Sequence, residues 1–198
     1  MKPFIETSSG SHFWLTNPDF KIDDIAHGLS NVCRFAGQCS LFYSVAEHSI
    51  MVSRLMHWRG GNPLEGLLHD AVEAYLCDIP APFKQLLPEY TTLEQSLDRQ
   101  LRRKFGLPEE KTEACYEADQ IALFVEAYHL MPSRGECFHD PHNLRPVALE
   151  YAKGRFCDLT RKAKSPNYQQ ALQFDFLNAF EELVDALVGR YNALRRGW

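Results

Sequence analysis

Two histidines and two aspartates stand in segments with helical hydrophobic spacing, and they constrain this chain more than any other feature. They are His48, the doublet His69-Asp70, and Asp119. Aspartate is rarely buried unless it is paired or bound to a metal, so an apolar helical run that carries His-Asp requires a reason. Two imidazoles and two carboxylates form a mixed nitrogen and oxygen ligand set that suits one divalent metal. The pattern therefore predicts helices packed around a single metal ion.

A second His-Asp pair, His139-Asp140, has a different setting. It follows Pro132 and Gly135 and directly precedes Pro141. Proline and glycine at these positions predict a loop, in which no helix fixes the geometry of the two side chains. We therefore regard this pair as a product of composition and assign the metal site to the doublet in the apolar run.

Composition sets the class of protein. The chain has 198 residues, of which 45% are hydrophobic and 24% charged, and this predicts one globular domain spanning residues 1–198. No apolar run approaches the roughly 18 residues of a membrane span, and the N-terminus lacks the apolar stretch of a signal peptide. Six cysteines without a Cys-x-x-Cys pair fit reduced thiols, so we expect a cytoplasmic protein. A net charge of −5 argues against binding to a nucleic acid polymer.

The remaining sequence predicts an all-α fold with one small hairpin. The hairpin joins Phe4–Thr7 to His12–Leu15, and Asp23 or Asp24 is expected to cap the first helix. Later helices are predicted from the capping box at Ser44, from Asn62-Pro63 through Tyr75, from Thr91 to Phe105, over Glu109–Leu130, over Pro146–Leu159 and over Tyr168–Leu194. Arg34–Gly37 and residues 133–146 are expected to be loops. The apolar face of the last helix, Leu172, Phe176, Phe180, Leu183, Leu187 and Leu194, can join the core or pack against a second subunit, so a homo-oligomer is expected.

Glu73 is the candidate for proton transfer. It follows His69 by four residues and Asp70 by three, so the three side chains share one face of a helix and can line one pocket. Metal, water and carboxylate together are the components of phosphate ester hydrolysis. An ordinary exposed helix acid is the alternative reading of Glu73.

Five segments of the chain resemble the HD-domain phosphohydrolases. The likeness covers Phe4 to Leu130 and is greatest to the bacterial and phage nucleotide hydrolases, which include 5′-deoxynucleotidases and dATP triphosphohydrolases. The segments that carry it are Leu29–Gly37, Tyr43–Ser49, Leu68–Ala74, Asp78–Lys84 and Ala118-Asp119. The resemblance implies an HD-type helical bundle, metal ligands at His48, His69, Asp70 and Asp119, and a catalytic Glu73.

The resemblance also implies four substrate-binding residues. Arg34 would contact phosphate, Phe35 would lie near the base or sugar, Asp78 would bind the sugar hydroxyl, and Lys84 would lie near the phosphate end. A guanidinium matches phosphate oxygens bidentately, which agrees with the role of Arg34. Asp78 can instead cap the end of the preceding helix.

These observations predict a metal-dependent hydrolase that cleaves the 5′-phosphate ester of deoxynucleotides, with a small-molecule substrate and no membrane partner. It would release phosphate from a monophosphate or tripolyphosphate from a triphosphate, and the sequence leaves both open. The alternatives are a non-catalytic nucleotide sensor and a (p)ppGpp or cyclic-nucleotide hydrolase. The ligand set suits Mn, Fe, Co, Ni or Zn. No further histidine lies in a motif that would add a second metal, so we expect one metal ion.

Overall fold

The computed structural model describes residues 3–155 and 166–196, except for the side chains of 152–155 and 190–196. An antiparallel hairpin pairs β1 (Phe4–Glu6) with β2 (His12–Trp14), with Ile5 opposite Phe13. The remaining described elements are helical: α1 (Ile22–Asn31), α2 (Val45–Trp58), α3 (Pro63–Leu68), α4 (Glu73–Leu76), α5 (Ala81–Lys84), α6 (Pro88–Lys104), α7 (Glu113–Leu130), α8 (Arg145–Arg155) and α9 (Tyr168–Arg196). The all-α prediction with one N-terminal hairpin is confirmed.

Helix α2 is the central element, because the core lies on both of its sides. One apolar cluster joins α1, α3, α4, α6 and the start of α9, with Ile25, Leu67 and Phe176 fully buried. The other joins α2 to α7 and α8 and includes Leu55 and Ile121. His48 lies on α2 between these two clusters and is itself buried. The fold thus places a polar side chain in the middle of the molecule.

Close packing of α2 on α3 depends on a glycine. A Cβ atom built on Gly66 would lie 2.9 Å from the Cα and 3.0 Å from the backbone nitrogen of Ser53. Real Cβ atoms essentially never approach a backbone this closely, so α3 can lie against α2 only with glycine at this position. The contact brings the end of α3, where His69 follows, next to His48.

Several predicted element boundaries are wrong. The helix expected to continue through Tyr75 ends at Leu68 and resumes at Glu73, with a tight turn between them. Neither Asp23 nor Asp24 caps α1: Lys21 is the N-cap residue, and both acids lie in the first turn. There the carboxylate of Asp24 accepts hydrogen bonds from Ser8 and Ser9 of the hairpin turn.

Other boundaries move by a few residues. The helix predicted from Thr91 begins at Pro88, since proline is favourable in the first turn of a helix. The helix predicted from Glu109 begins at Glu113, because the side chain of Thr112 caps it by accepting from the amide of Cys115. Part of the expected Arg34–Gly37 loop forms a short 3₁₀ turn over Phe35–Gly37.

The C-terminal helices partly follow the predictions. Helix α8 is described to Arg155, and the predicted end at Leu159 lies outside the described residues. In α9, Leu172 and Phe176 are buried, but Leu187 is 47% exposed and does not join the core. The side chain of Leu194 lies outside the described residues. No helix within the described ranges has the length and apolar character to cross a membrane.

Candidate metal centre

His48 is positioned by the start of α2. The side chain of Ser44 accepts from the amide of Glu47 at 3.2 Å, and the carboxylate of Glu47 accepts from the amide of Ser44 at 3.0 Å. This is the predicted capping box, and it fixes where the helix begins. His48 therefore lies in the first turn, with its imidazole buried between α2 and α7.

The doublet lies in the tight turn between α3 and α4. Hydrogen bonds here span three residues instead of four, from Ala71 to Leu68 and from Glu73 to Asp70. The imidazole Nδ1 of His69 donates to the carbonyl of Gly66 at 2.8 Å, which anchors the ring to the last turn of α3. The Nε2 atom is consequently directed away from that helix, towards His48 and Asp119.

Three of the four predicted ligands form one compact group, and the fourth, Asp70, lies beside it. His48, His69 and Asp119 each offer a ligand atom, and these atoms all lie within 4.8 Å of one another. The Nε2 atoms of His48 and His69 are 3.1 Å apart, and the Oδ1 atom of Asp119 is 3.1 Å from Nε2 of His48. Oδ2 of Asp70 lies 3.0 Å from Nε2 of His69 and 3.5 Å from Nε2 of His48. The group of His48, His69 and Asp119 can hold a metal ion, with Asp70 beside it.

The hydrogen bonds of the two rings are what make this group fit a cation. Nδ1 of His69 faces a carbonyl and Nδ1 of His48 faces the carboxylate of Glu126 at 2.7 Å, and both acceptors require a proton on Nδ1. In the neutral rings, each Nε2 then carries a lone pair, and the two lone pairs point into the same space. Such a pair of imidazoles repel each other unless a proton or a metal lies between them. Imidazoles with Nδ1 bound in this way are the usual form of metal-ligating histidine.

The charges around the cluster are arranged to keep its carboxylates ionised. Burial raises the pKa of Asp119, but Lys111 and the two histidines outweigh it, so the pKa lies well below its usual value. Burial likewise opposes ionisation of Asp70, while His69 and Lys111 lower its pKa well below the usual value. Burial and Arg34 lower the pKa of His48, yet Glu126, Asp119 and Asp70 raise it above the usual value overall. The pocket therefore favours positive charge at the position where the ligand atoms meet.

Arg34 reaches the cluster from a strained loop. Phe35 and Ala36 have φ angles of 55° and 50°, in the left-handed region that side chains other than glycine rarely adopt. Backbone pairing of Arg34 with Tyr43 holds the loop beside the start of α2. Nη1 of Arg34 lies 3.9 Å from Asp70, and its Nε donates to Glu126 at 3.0 Å. The predicted phosphate-binding arginine is thus buried beside the candidate metal ligands.

Phe35 lies next to Arg34 and is half-buried. The guanidinium of Arg34 lies over the ring of Phe35, with its central carbon 5.5 Å from the ring centroid. The ring centroids of Phe35 and Phe138 are 6.4 Å apart. Phe138 belongs to the predicted loop of residues 133–146. In that loop, the carboxylate of Asp140 accepts from the amides of Leu144 and Arg145 at the start of α8, so Asp140 has a structural role.

Glu73 and Lys84 meet at the edge of a cavity. Nζ of Lys84 donates to Glu73 at 3.2 Å and to Glu94 at 2.7 Å. Glu73 is 6% exposed, and its Oε2 atom is buried without a hydrogen-bond partner. Burial, followed by the charges of Asp70 and Asp78, raises the pKa of Glu73 well above its usual value. The alternative reading of Glu73 as an exposed helix acid is therefore wrong.

The cavity has a volume of about 340 Å³ and lies next to the candidate metal site, since His69 and Asp70 are among its lining residues. Its walls include His69, Asp70, Glu73, Lys84 and Lys111. The predicted residues of the doublet and Glu73 do line one pocket, although a turn and not a continuous helix brings them there. Asp78 is half-buried nearby, and burial raises its pKa while the charge of Arg34 lowers it. Asp78 interacts electrostatically with Arg34 and Asp70, so it lies on the same side of the molecule as the candidate site.

Two charged residues beside the cluster, Glu126 and Lys111, were not predicted from the sequence. Glu126 lies two turns after Asp119 on α7, within the apolar stretch Leu123–Ala127. An acid in an apolar helical run is the signal that singled out the doublet, so the same argument could have found Glu126. Lys111 has Nζ 3.6 Å from Asp70 and 3.7 Å from Asp119. It lies in a polar connection before α7, and no sequence pattern marks it.

Fold and site together define a mostly helical protein with a small N-terminal hairpin and a cluster of His48, His69 and Asp119 that could hold a metal. No protein-family model matches the chain. The chain is 40% identical over 166 residues to the uncharacterized protein YfdR of Escherichia coli K12, across 78% of this chain and 92% of YfdR. It is 37% identical over 147 residues to the uncharacterized protein RCAP_rcc00048 of Rhodobacter capsulatus, across 60% of this chain and 73% of that protein. The chain belongs to the family of YfdR.

Proposed function

We propose that this protein is a metal-dependent phosphohydrolase of the HD-domain type that acts on deoxynucleotide 5′-phosphates. One observation carries the proposal: a buried glutamate with a free carboxylate oxygen lines the same cavity as the doublet of a candidate metal cluster. A buried acceptor without a partner costs about 1–3 kcal/mol, and such a cost is expected where a group serves chemistry and not stability.

The residues have separate tasks in the proposed reaction. His48, His69, Asp70 and Asp119 would hold one divalent metal, which when bound would activate a water and offset phosphate charge. Glu73 accepts a proton from the water that attacks phosphorus, and it returns the proton to the 5′ oxygen as the bond between phosphorus and that oxygen breaks. A carboxyl group with a raised pKa suits this exchange near neutral pH.

Positive side chains surround the place where phosphate would lie. Lys84 and Lys111 line the cavity, and Nη1 of Arg34 lies 3.9 Å from Asp70. Asp78 would accept a hydrogen bond from the sugar hydroxyl, and Phe35 would lie near the base or sugar. A nucleotide in the cytoplasm has the phosphate, the sugar hydroxyl and the base that these side chains would bind.

A substrate screen tests the proposal. Purified protein is incubated with dAMP, dATP, AMP and ATP, with Mn, Co, Ni, Zn or Fe supplied one at a time, and products are separated by chromatography. We expect deoxyadenosine together with phosphate or tripolyphosphate, and no product without added metal. A folded, metal-loaded protein that binds these nucleotides and releases no product with any metal would contradict the proposal and favour a nucleotide sensor.

A further inference from the structure

Glu126 is a buried carboxylate whose two oxygens have different partners. It is fully buried on α7. Oε1 accepts from Nδ1 of His48 at 2.7 Å, and Oε2 accepts from Nε of Arg34 at 3.0 Å. The three side chains form one continuous chain of hydrogen bonds, here called the Arg34–Glu126–His48 chain. It runs from the strained loop to the centre of the cluster.

The Arg34–Glu126–His48 chain fixes the orientation of the His48 ring and places its proton on Nδ1. An ionised carboxylate only accepts hydrogen bonds, so it requires the proton of His48 on Nδ1 and leaves Nε2 free to ligate. The guanidinium of Arg34 only donates hydrogen bonds, so it occupies Oε2 of Glu126 and leaves Oε1 to accept from Nδ1 of His48. An amide or a protonated acid at position 126 would not hold one tautomer in this way.

A second buried ion pair shows what a purely structural pair looks like in this protein. Glu65 and Arg102 are 3.3 Å apart, and both side chains are buried. Glu65 also accepts from the amide and the hydroxyl of Thr112, at 2.9 and 2.8 Å. This pair connects α3 and α6 to the start of α7, and none of its hydrogen bonds goes to a residue of the metal cluster. It resembles the Glu126–Arg34 pair in chemistry and burial but not in its contact with a ligand.

We propose that Glu126 and Arg34 are positioning residues that hold His48 ready to ligate the metal through Nε2. The inference rests on the proposed metal site. It gives Arg34 a role beyond the phosphate contact expected from the sequence, because its Nε is already committed to Glu126. Loss of a partner that orients a metal-ligating histidine typically weakens metal binding by on the order of 10- to 100-fold.

The test compares two matched variants, Glu126→Gln and Glu65→Gln, by metal affinity. Each removes one buried negative charge from an arginine pair and keeps the shape of the side chain. The dissociation constant for Zn²⁺ is measured by competition with a chelator, and the thermal stability of the metal-free proteins is measured in parallel. We expect Glu126→Gln to bind Zn²⁺ on the order of 10- to 100-fold more weakly than the parent, with Glu65→Gln unchanged, although both lose stability.

A second readout reports the tautomer directly. Two-dimensional ¹H–¹⁵N spectra of the zinc-loaded parent should show His48 protonated at Nδ1 with Nε2 ligated, and Glu126→Gln should weaken or lose that signature. If Glu126→Gln does not fold, Arg34→Lys provides the same test, since lysine cannot reproduce the Nε contact, and we expect weaker Zn²⁺ binding.

The outcomes separate this inference from the proposed function. Equal zinc affinity in parent and Glu126→Gln, or equal losses in Glu126→Gln and Glu65→Gln, would overturn the positioning role while leaving the metal site in place. A parent protein that binds no Zn²⁺ at the cluster would overturn both.

Discussion

Replacing Glu73 with glutamine should change activity and stability in opposite directions. The carboxyl group is buried, and folding raises its pKa well above the usual value, so its ionised form destabilises the folded protein. Glutamine keeps the size of the side chain and can still accept from Lys84, and Lys84 retains its bond to Glu94. We expect Glu73→Gln to stabilise the metal-free protein by about 1 kcal/mol, or about 2–4 °C in Tm for a chain of this size.

The stability gain should depend on pH with a definite sign. Because the pKa of Glu73 is raised in the folded protein, folding favours its protonated form. The carboxyl group therefore destabilises the fold increasingly as pH rises through the folded-state pKa, and it has no such effect below the unfolded value. The difference between Glu73→Gln and the parent should be small in acid and reach its full size above the folded-state pKa.

Activity should fall on the order of 10²- to 10⁴-fold in the same variant, because glutamine cannot accept and return a proton. Denaturant unfolding of the metal-free proteins across pH and turnover of dAMP and dATP by the metal-loaded proteins give the two quantities. Glu65→Gln is the control: it should lose stability and keep its turnover. A Glu73→Gln protein that is less stable than the parent, or that turns over within a few-fold of it, would refute the assignment.

Three further predictions follow from single contacts. His69→Ala or Asp70→Ala should abolish both bound metal and turnover; a full equivalent of metal in both variants, by elemental analysis, would remove the four-ligand assignment. Asp78→Asn should narrow the ratio of kcat/KM between dAMP and AMP, since an amide binds a hydroxyl without charge assistance, and an unchanged ratio would leave Asp78 outside the sugar site. Gly66→Ala should lower stability by about 1–3 kcal/mol through its clash with Ser53, whereas Gly189→Ala, which meets no atom within 4 Å, should not.

The sequence predicted the helices whose start signals are local. Ser44 with Glu47, and Asn62 with Pro63, are capping patterns that act within one turn, and both occur as expected. The ends of the helices were harder to predict. Helix α3 stops at Leu68, for example, where no proline or glycine marks the end. The turn after Leu68 is supported by a local hydrogen bond from His69 to Gly66 and by the tertiary packing of α3 on α2.

The site could be predicted as a set of residue types but not as a set of contacts. Histidine and aspartate in apolar runs indicated a ligand group, and His48, His69 and Asp119 do meet. The buried partners of that group depend on which helices pack together. The local sequence around a residue does not contain this information. Lys111 approaches Asp70 only because α7 lies beside α3 in the fold.

If one metal ion occupies the cluster, anomalous scattering from a crystal of the zinc-loaded protein will locate it. We expect a single peak at the zinc edge, at about 2.0–2.2 Å from Nε2 of His48 and His69 and from carboxylate oxygens of Asp70 and Asp119. No peak at the cluster, or two peaks there, would contradict it.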